Sequence, residues 1–131
     1  MMEIPQILKK FKIVAVVGVS RDPSKDSRTV FEYLLKNGFE AYPVNPFAEE
    51  IGEHKCCKSL SELPKKPGIV DIFRPSAEVM PIVDEAIKVG AKVIWMQLGI
   101  INDEAAAKAR KAGLEVIMDH CMKIENEKMK K

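Results

Sequence analysis

A chain of 131 residues is the size of one compact domain and leaves little room for a second core, so residues 1–131 are read as a single domain. Its 47% hydrophobic and 31% charged residues supply both a core and a solvated surface, which excludes a disordered chain. Twenty-one basic against 19 acidic side chains leave a net charge of +2, far from the basic excess of nucleic-acid binders; an anionic ligand must therefore be met by locally clustered charge.

Taken in chain order, residues 4–11 are expected to form a short leading helix. Residues 13–17 are apolar at every position and closed by Gly18, as a strand buried on both faces would be. After a polar loop, Val30, Phe31, Leu34 and Leu35 recur at helical spacing, with Asp26 or Ser27 as N-cap and Gly38 as terminator. Residues 39–44 read as a second strand, stopped by Asn45-Pro46. Residues 47–68 lack strong periodicity and carry the capping-box pattern Ser59-Leu60-Ser61-Glu62, which predicts a loose crossover with one short helix.

Residues 69–73 form the expected third strand, ended by Arg74-Pro75. Ser76 is placed to cap a helix whose apolar face is Val79, Ile82, Val83, Ala86 and Ile87, with Gly90 as its stop. Residues 93–96 read as the fourth strand, 102–112 as an alanine-rich helix and 114–118 as the fifth strand. Residues 124–131 are expected to be a fraying charged tail. Lys36-Asn37-Gly38, Lys88-Val89-Gly90 and Lys111-Ala112-Gly113 repeat one helix-stop chemistry, a cation at the negative helix end followed by a glycine able to turn left-handed. Strands alternating with helices imply an α/β, doubly wound, parallel five-stranded sheet of Rossmann-like type. The expected strand order is 3-2-1-4-5.

The longest apolar runs fall far short of the roughly 20 residues that cross a bilayer, so no membrane association is expected. Glu3 and Pro5 interrupt any secretory h-region, which makes the cytoplasm the expected compartment. Cys56, Cys57 and Cys121 are an odd number without C-x-x-C spacing, which argues against a disulfide framework and a zinc site.

In an open parallel sheet, ligands bind beyond the carboxyl ends of the strands. Here these ends read Gly18-Val19-Ser20-Arg21, Asn45-Pro46, Arg74-Pro75-Ser76, Gln97-Leu98-Gly99 and Asp119-His120-Cys121. The first loop gathers Ser20, Ser24, Ser27, Arg21, Lys25 and Arg28 between a strand and a helix N-terminus, where backbone amides and the helix dipole favour an anion. Hydroxyls add hydrogen bonds and the cations add charge, so the natural guest is a phosphate or pyrophosphate. The loop is neither a Walker A sequence nor a G-x-G-x-x-G fingerprint. An NAD enzyme usually places Asp or Glu at the second strand end to bind the ribose hydroxyls; Asn45-Pro46 stands there instead, leaving coenzyme A and NADP as candidates.

Gly18-Val19-Ser20 with Arg21 and Ser27, followed by Val44-Asn45-Pro46, Phe73-Arg74-Pro75 and Trp95-Met96-Gln97-Leu98-Gly99, resembles the small stand-alone CoA-binding proteins. These are similar in turn to the CoA-binding domain of the succinyl-CoA synthetase α-subunit. The resemblance runs from about residue 11 to 125 and implies a Rossmann-like fold that binds coenzyme A. Carried over by position, it implies Gly18, Ser20, Arg21, Lys25 and Ser27 around the phosphates and Asn45 and Pro46 beside the adenosine. It likewise implies Arg74 near the third strand end and Gln97 with Gly99 beside the bound cofactor. The synthetase's catalytic domain, with its phosphorylated histidine, has no counterpart in the resemblance, so acyl-CoA synthesis is not carried over.

Other chemistry is thin. His120 and Cys121 are adjacent, and neighbours on a chain rarely face one another as nucleophile and base. The expected function is binding of CoA or an acyl-CoA by a non-catalytic sensing, carrier or regulatory module. The alternatives are an NADP-linked oxidoreductase and a CoA-dependent enzyme with an unrecognised acyl substrate.

Overall fold

The computed structural model describes residues 2–130; residues 1 and 131, the limits of the domain read from the sequence, lie outside that description. The chain opens with α1 (Ile4–Lys10), where Gln6 Oε1 accepts the Glu3 amide at 2.8 Å and Pro5 lies in the first turn. Then follow β1 (Ile13–Val17), α2 (Asp26–Lys36) and β2 (Glu40–Val44), then a hairpin of β3 (Glu50–Ile51) and β4 (His54–Lys55). A 3-10 turn at Leu60–Glu62 leads to β5 (Ile69–Ile72), and a second, Ser76–Glu78, leads into α3 (Val79–Val89). The chain closes with β6 (Val93–Met96), α4 (Asp103–Lys111), β7 (Glu115–Ile117) and α5 (Met122–Met129). All three glycine stops work as expected, with φ of +88° at Gly38, +80° at Gly90 and +92° at Gly113.

The fold is α/β and Rossmann-like, a five-stranded parallel sheet flanked by helices, in the order β2-β1-β5-β6-β7. Counting only these strands, the order is 2-1-3-4-5 where the sequence reading expected 3-2-1-4-5, because the third strand pairs with the other edge of the first. The segment after β2 claims β2's outer edge for itself: the Cys57 amide donates to Pro43 O at 3.0 Å, and the Asn45 amide to Cys57 O at 2.9 Å. Pro43 has no N–H, and its carbonyl points to this outer side, so a further full strand would meet a missing donor there. The connection wraps that edge, and β5 joins the free edge of β1.

Alternation along the strands divides the core into two layers. Val14, Val16, Ile69, Val93 and Trp95 face α1, α2 and α5, while Ala15, Val17, Val70, Ile72, Ile94 and Met96 face α3 and α4. Each fully buried Ile, Leu or Phe in these layers contributes about 1.5–3 kcal/mol. Among the described residues no helix is long and apolar enough to cross a membrane.

Local departures have local causes. The N-cap of α2 is Lys25 rather than Asp26 or Ser27, because the Ser27 hydroxyl turns back to accept the Ser20 amide at 2.9 Å. Ser76 opens a 3-10 turn instead of capping α3, and its Oγ accepts the Ile101 amide at 3.1 Å. The expected short helix within 47–68 is the hairpin and the single turn at Leu60–Glu62, where the Glu62 carboxylate accepts the Lys58 amide rather than closing a capping box. The expected fraying tail is α5, anchored by buried Met122 and by Asn126, whose Nδ2 donates to Tyr33 Oη at 2.9 Å; the last residue of that stretch lies outside the described residues.

Candidate functional site

β1 lies between β2 and β5, and the chain leaves the adjacent ends of β1 and β5 toward opposite faces of the sheet: α2 on one, α3 on the other. This is the switch point, where an α/β sheet opens a crevice. Gly18 sits in it. Its amide donates to Val44 O at 2.8 Å, and the Phe73 amide donates to Val17 O at 2.9 Å, which draws the three strand ends together. At a φ of +92°, a Cβ on Gly18 would stand 2.9 Å from Phe73 O and 3.0 Å from Arg74 Cδ, so the position requires glycine twice over.

On the α3 face a cleft of about 460 Å³ opens beside this crossing. It brings together Gly18, Asn45, Pro46 and Arg74, four of the residues singled out in the sequence. Asn45 serves as a brace: its Nδ2 donates to Val19 O at 3.0 Å and its Oδ1 accepts the Phe47 amide at 2.8 Å, tying the β1 and β2 ends together. Arg74 is held by Glu78 at 2.7 Å. Leu60 and Ile82 supply apolar wall, and Phe47, 82% exposed, stands at the rim. Sequence reasoning missed Lys58, Ser59 and Glu85 in this lining, because they come from a stretch without periodicity and from the flank of α3. Glu85 is already engaged, accepting the Leu60 amide at 3.0 Å, and Lys58 makes no ion pair among the described residues.

The loop from Ser20 to Lys25 is largely self-bonded. Ser20 Oγ accepts the Asp22 amide at 3.0 Å, and the Asp22 carboxylate accepts the Ser24 amide and hydroxyl, which hold it below the usual carboxylate range. The Arg28 guanidinium donates to Arg21 O at 3.0 Å and pairs with Glu32 at 3.1 Å, so Arg28 is a strut. Arg21 and Lys25 are exposed and do not line this cleft. They flank the start of α2, a terminus they share with the carboxylate of Asp26.

On the opposite face, between α2 and α5, lies a second cleft of about 330 Å³. Gln97 lines it, as do Phe73 and Cys121. Gly99, with φ of +79°, donates its amide to the Asp119 carboxylate at 2.7 Å and lines neither cleft. Asp119 itself has φ of +61°, a left-handed conformation that Asp tolerates better than most residues. His120 is exposed with Nδ1 3.3 Å from Glu125 Oε2, Cys121 is buried, and no hydrogen bond joins the two among the described residues. Burial raises the Cys56 and Cys57 thiols above their ordinary value, which disfavours the reactive thiolate.

One buried group escaped the sequence reading. Asp71, in the middle of β5, is fully buried with both carboxyl oxygens unpartnered among the described residues. Its cross-strand neighbours are Val16 and Trp95, and the Trp95 indole N–H is already given to His120 O at 2.8 Å. Burial alone pushes its carboxyl well above the usual range.

The comparisons with known proteins converge. The sequence profile of a family described as a CoA binding domain matches residues 12–127. An uncharacterized protein of Bacillus subtilis, YneT, is 37% identical over 122 residues, 93% of this chain and 90% of that one. The ADP-forming acetate–CoA ligase II of Archaeoglobus fulgidus is 32% identical over 127 residues, 92% of this chain but only 19% of the ligase. Among solved structures, a hypothetical protein from Pyrococcus horikoshii OT3 is 41% identical with a TM-score of 0.94, over 98% of this chain and 90% of that one.

Proposed function

From the premise that this chain belongs to the CoA-binding domain family, we propose that it holds CoA or an acyl-CoA across the switch point, as a non-catalytic module that senses, carries or presents the cofactor. The observation that carries this reading is the position of the Gly18 loop between two clefts on opposite faces of the sheet, a layout suited to one long ligand with an anionic middle. In this reading the adenosine occupies the α3-face cleft beside Asn45 and Pro46, with Leu60 and Ile82 against the base. Lys58 and Arg74 meet the ribose phosphate. Gly18 permits the pyrophosphate to approach the backbone, and Ser20, Arg21, Lys25 and Ser27 surround it. The pantetheine arm then passes toward Gln97 and Gly99. His120 turned to Glu125 rather than to Cys121 supports a binding role over a catalytic one.

In a binding titration, Arg21→Ala should weaken CoA by about 1.5–3 kcal/mol, the range for a hydrogen bond to a charged group. The Arg21→Ala, Lys25→Ala double variant should lose more. Both losses should persist with dephospho-CoA, which retains the pyrophosphate, whereas the loss from Lys58→Ala should shrink with that ligand. Folding, followed by circular dichroism, should hardly change because both first-loop side chains are exposed. Unchanged CoA affinity in the folded double variant would reduce the first loop to a solvated turn.

A further inference from the structure

Resting on the CoA reading, we propose that the second cleft, between α2 and α5, is an acyl-chain site: it takes the aliphatic group of a CoA thioester, with Gln97 donating to a ligand carbonyl. Its wall is Val30, Phe73, Ile100 and Cys121, extended by Leu98 and Ile124 at the mouth. Leu98 is 58% and Ile124 42% exposed. Large apolar side chains left open on both lips of one cleft lose water contact only when something apolar fills it. Asp26, Thr29 and Lys123 complete the lining on the α2 and α5 sides, so an apolar floor is edged by polar groups.

Gln97 supplies the polar contact. It is only 4% exposed, yet it lines the cleft. Its Oε1 accepts the Met122 amide at the start of α5 at 3.2 Å, and its Nε2 makes no hydrogen bond among the described residues. A buried amide anchored through its oxygen presents its N–H groups as donors, and a thioester or pantetheine carbonyl is an acceptor of the right kind. Continuity with the adenosine cleft comes from the Phe73-Arg74 step: Phe73 lines one cleft, Arg74 the other, and Gly18, in the lining of the adenosine cleft, packs against both of these residues. A ligand whose phosphates occupy the first loop can therefore reach both faces. No bond is made or broken in this proposal.

The test is a calorimetric series of CoA, acetyl-CoA, butyryl-CoA and hexanoyl-CoA on the full chain. Affinity should rise with chain length by up to about fourfold per methylene, until the cleft is filled. In Leu98→Asp and Ile124→Asp, which alter exposed rim positions, the hexanoyl-CoA to CoA affinity ratio should fall toward one. That readout cancels any general loss of CoA affinity. Gln97→Leu should weaken every thioester while keeping the chain-length gain. A CoA complex with no chain-length gain in wild type, or a gain untouched by both rim variants, overturns the acyl site alone. Failure to bind CoA at all overturns the underlying reading and this one with it.

Discussion

Asp71→Val should make the protein more stable at neutral pH by roughly 1–3 kcal/mol, the cost of an unsatisfied buried polar group. Asp71 is wholly buried in a central strand between Val16 and Trp95, with neither carboxyl oxygen partnered, and valine suits a parallel strand covered on both faces. The pH dependence follows from its raised carboxyl. Below the ordinary value of 3.8, folded and unfolded chains both hold the proton and there is no ionisation cost. As pH rises beyond that value the unfolded chain releases its proton while the folded chain keeps it, so wild-type stability falls until the buried group also ionises. The valine variant lacks this slope, and its advantage should grow from about pH 4 upward. Urea unfolding of both proteins from pH 3 to 8 measures this. A valine variant less stable than wild type at pH 7 would mean that the carboxyl is partnered in solution.

Gly18→Ala should cost more than the same change at Gly38, although both residues have φ near +90°. An alanine at Gly38 meets nothing within 4 Å and incurs only the left-handed backbone penalty, of order 1 kcal/mol. At Gly18 the added methyl meets the carbonyl of Phe73, a residue tied to β1 through its own amide, which donates to Val17 O at 2.9 Å and limits how far the carbonyl can retreat. A further 1–3 kcal/mol of strain is expected there, together with a loss of CoA affinity that Gly38→Ala does not share. Thermal unfolding and CoA titration of the two variants side by side separate close approach from backbone conformation. Equal destabilisation would remove the close-approach argument.

Much of this was legible in the chain because its punctuation is strong. The three Lys-x-Gly stops fix where helices end, and apolar runs without alternation mark strands covered on both faces, so the α/β class follows from residues alone. The strand order did not follow, although one residue carried the signal: Pro43 inside β2 marks an edge strand, and an edge β2 forces β5 to the far side of β1. Residues 47–68 hid more. Their hairpin is pinned by Phe31 against His54, rings 5.3 Å apart and edge to face, a tertiary contact with no trace in local periodicity.

The strand ends, read as a set, pointed to one rim, since topology dictates where a parallel sheet opens; of that set Gly18, Asn45, Pro46 and Arg74 line one cleft, Gln97 lines the other and Gly99 lines neither. Chemistry at each position was less readable. Residue types suggested ligand contacts for Asn45 and Ser27, yet both side chains brace the backbone around Gly18. Lys58 was invisible because a lone lysine in an aperiodic loop reads as surface. The split of the site between two faces depends on the strand order, so it could not be read before that order was known.

Which nucleotide the switch point accepts separates a CoA-binding protein from a dinucleotide enzyme. Titration of the purified chain with CoA, NADPH and NAD under one set of conditions asks this directly. Tighter binding of CoA than of either dinucleotide is the result expected from a phosphate-suited first loop with Asn45, not a carboxylate, at the second strand end. Preferential binding of NADPH or NAD, or no binding of CoA by the folded protein, would contradict it.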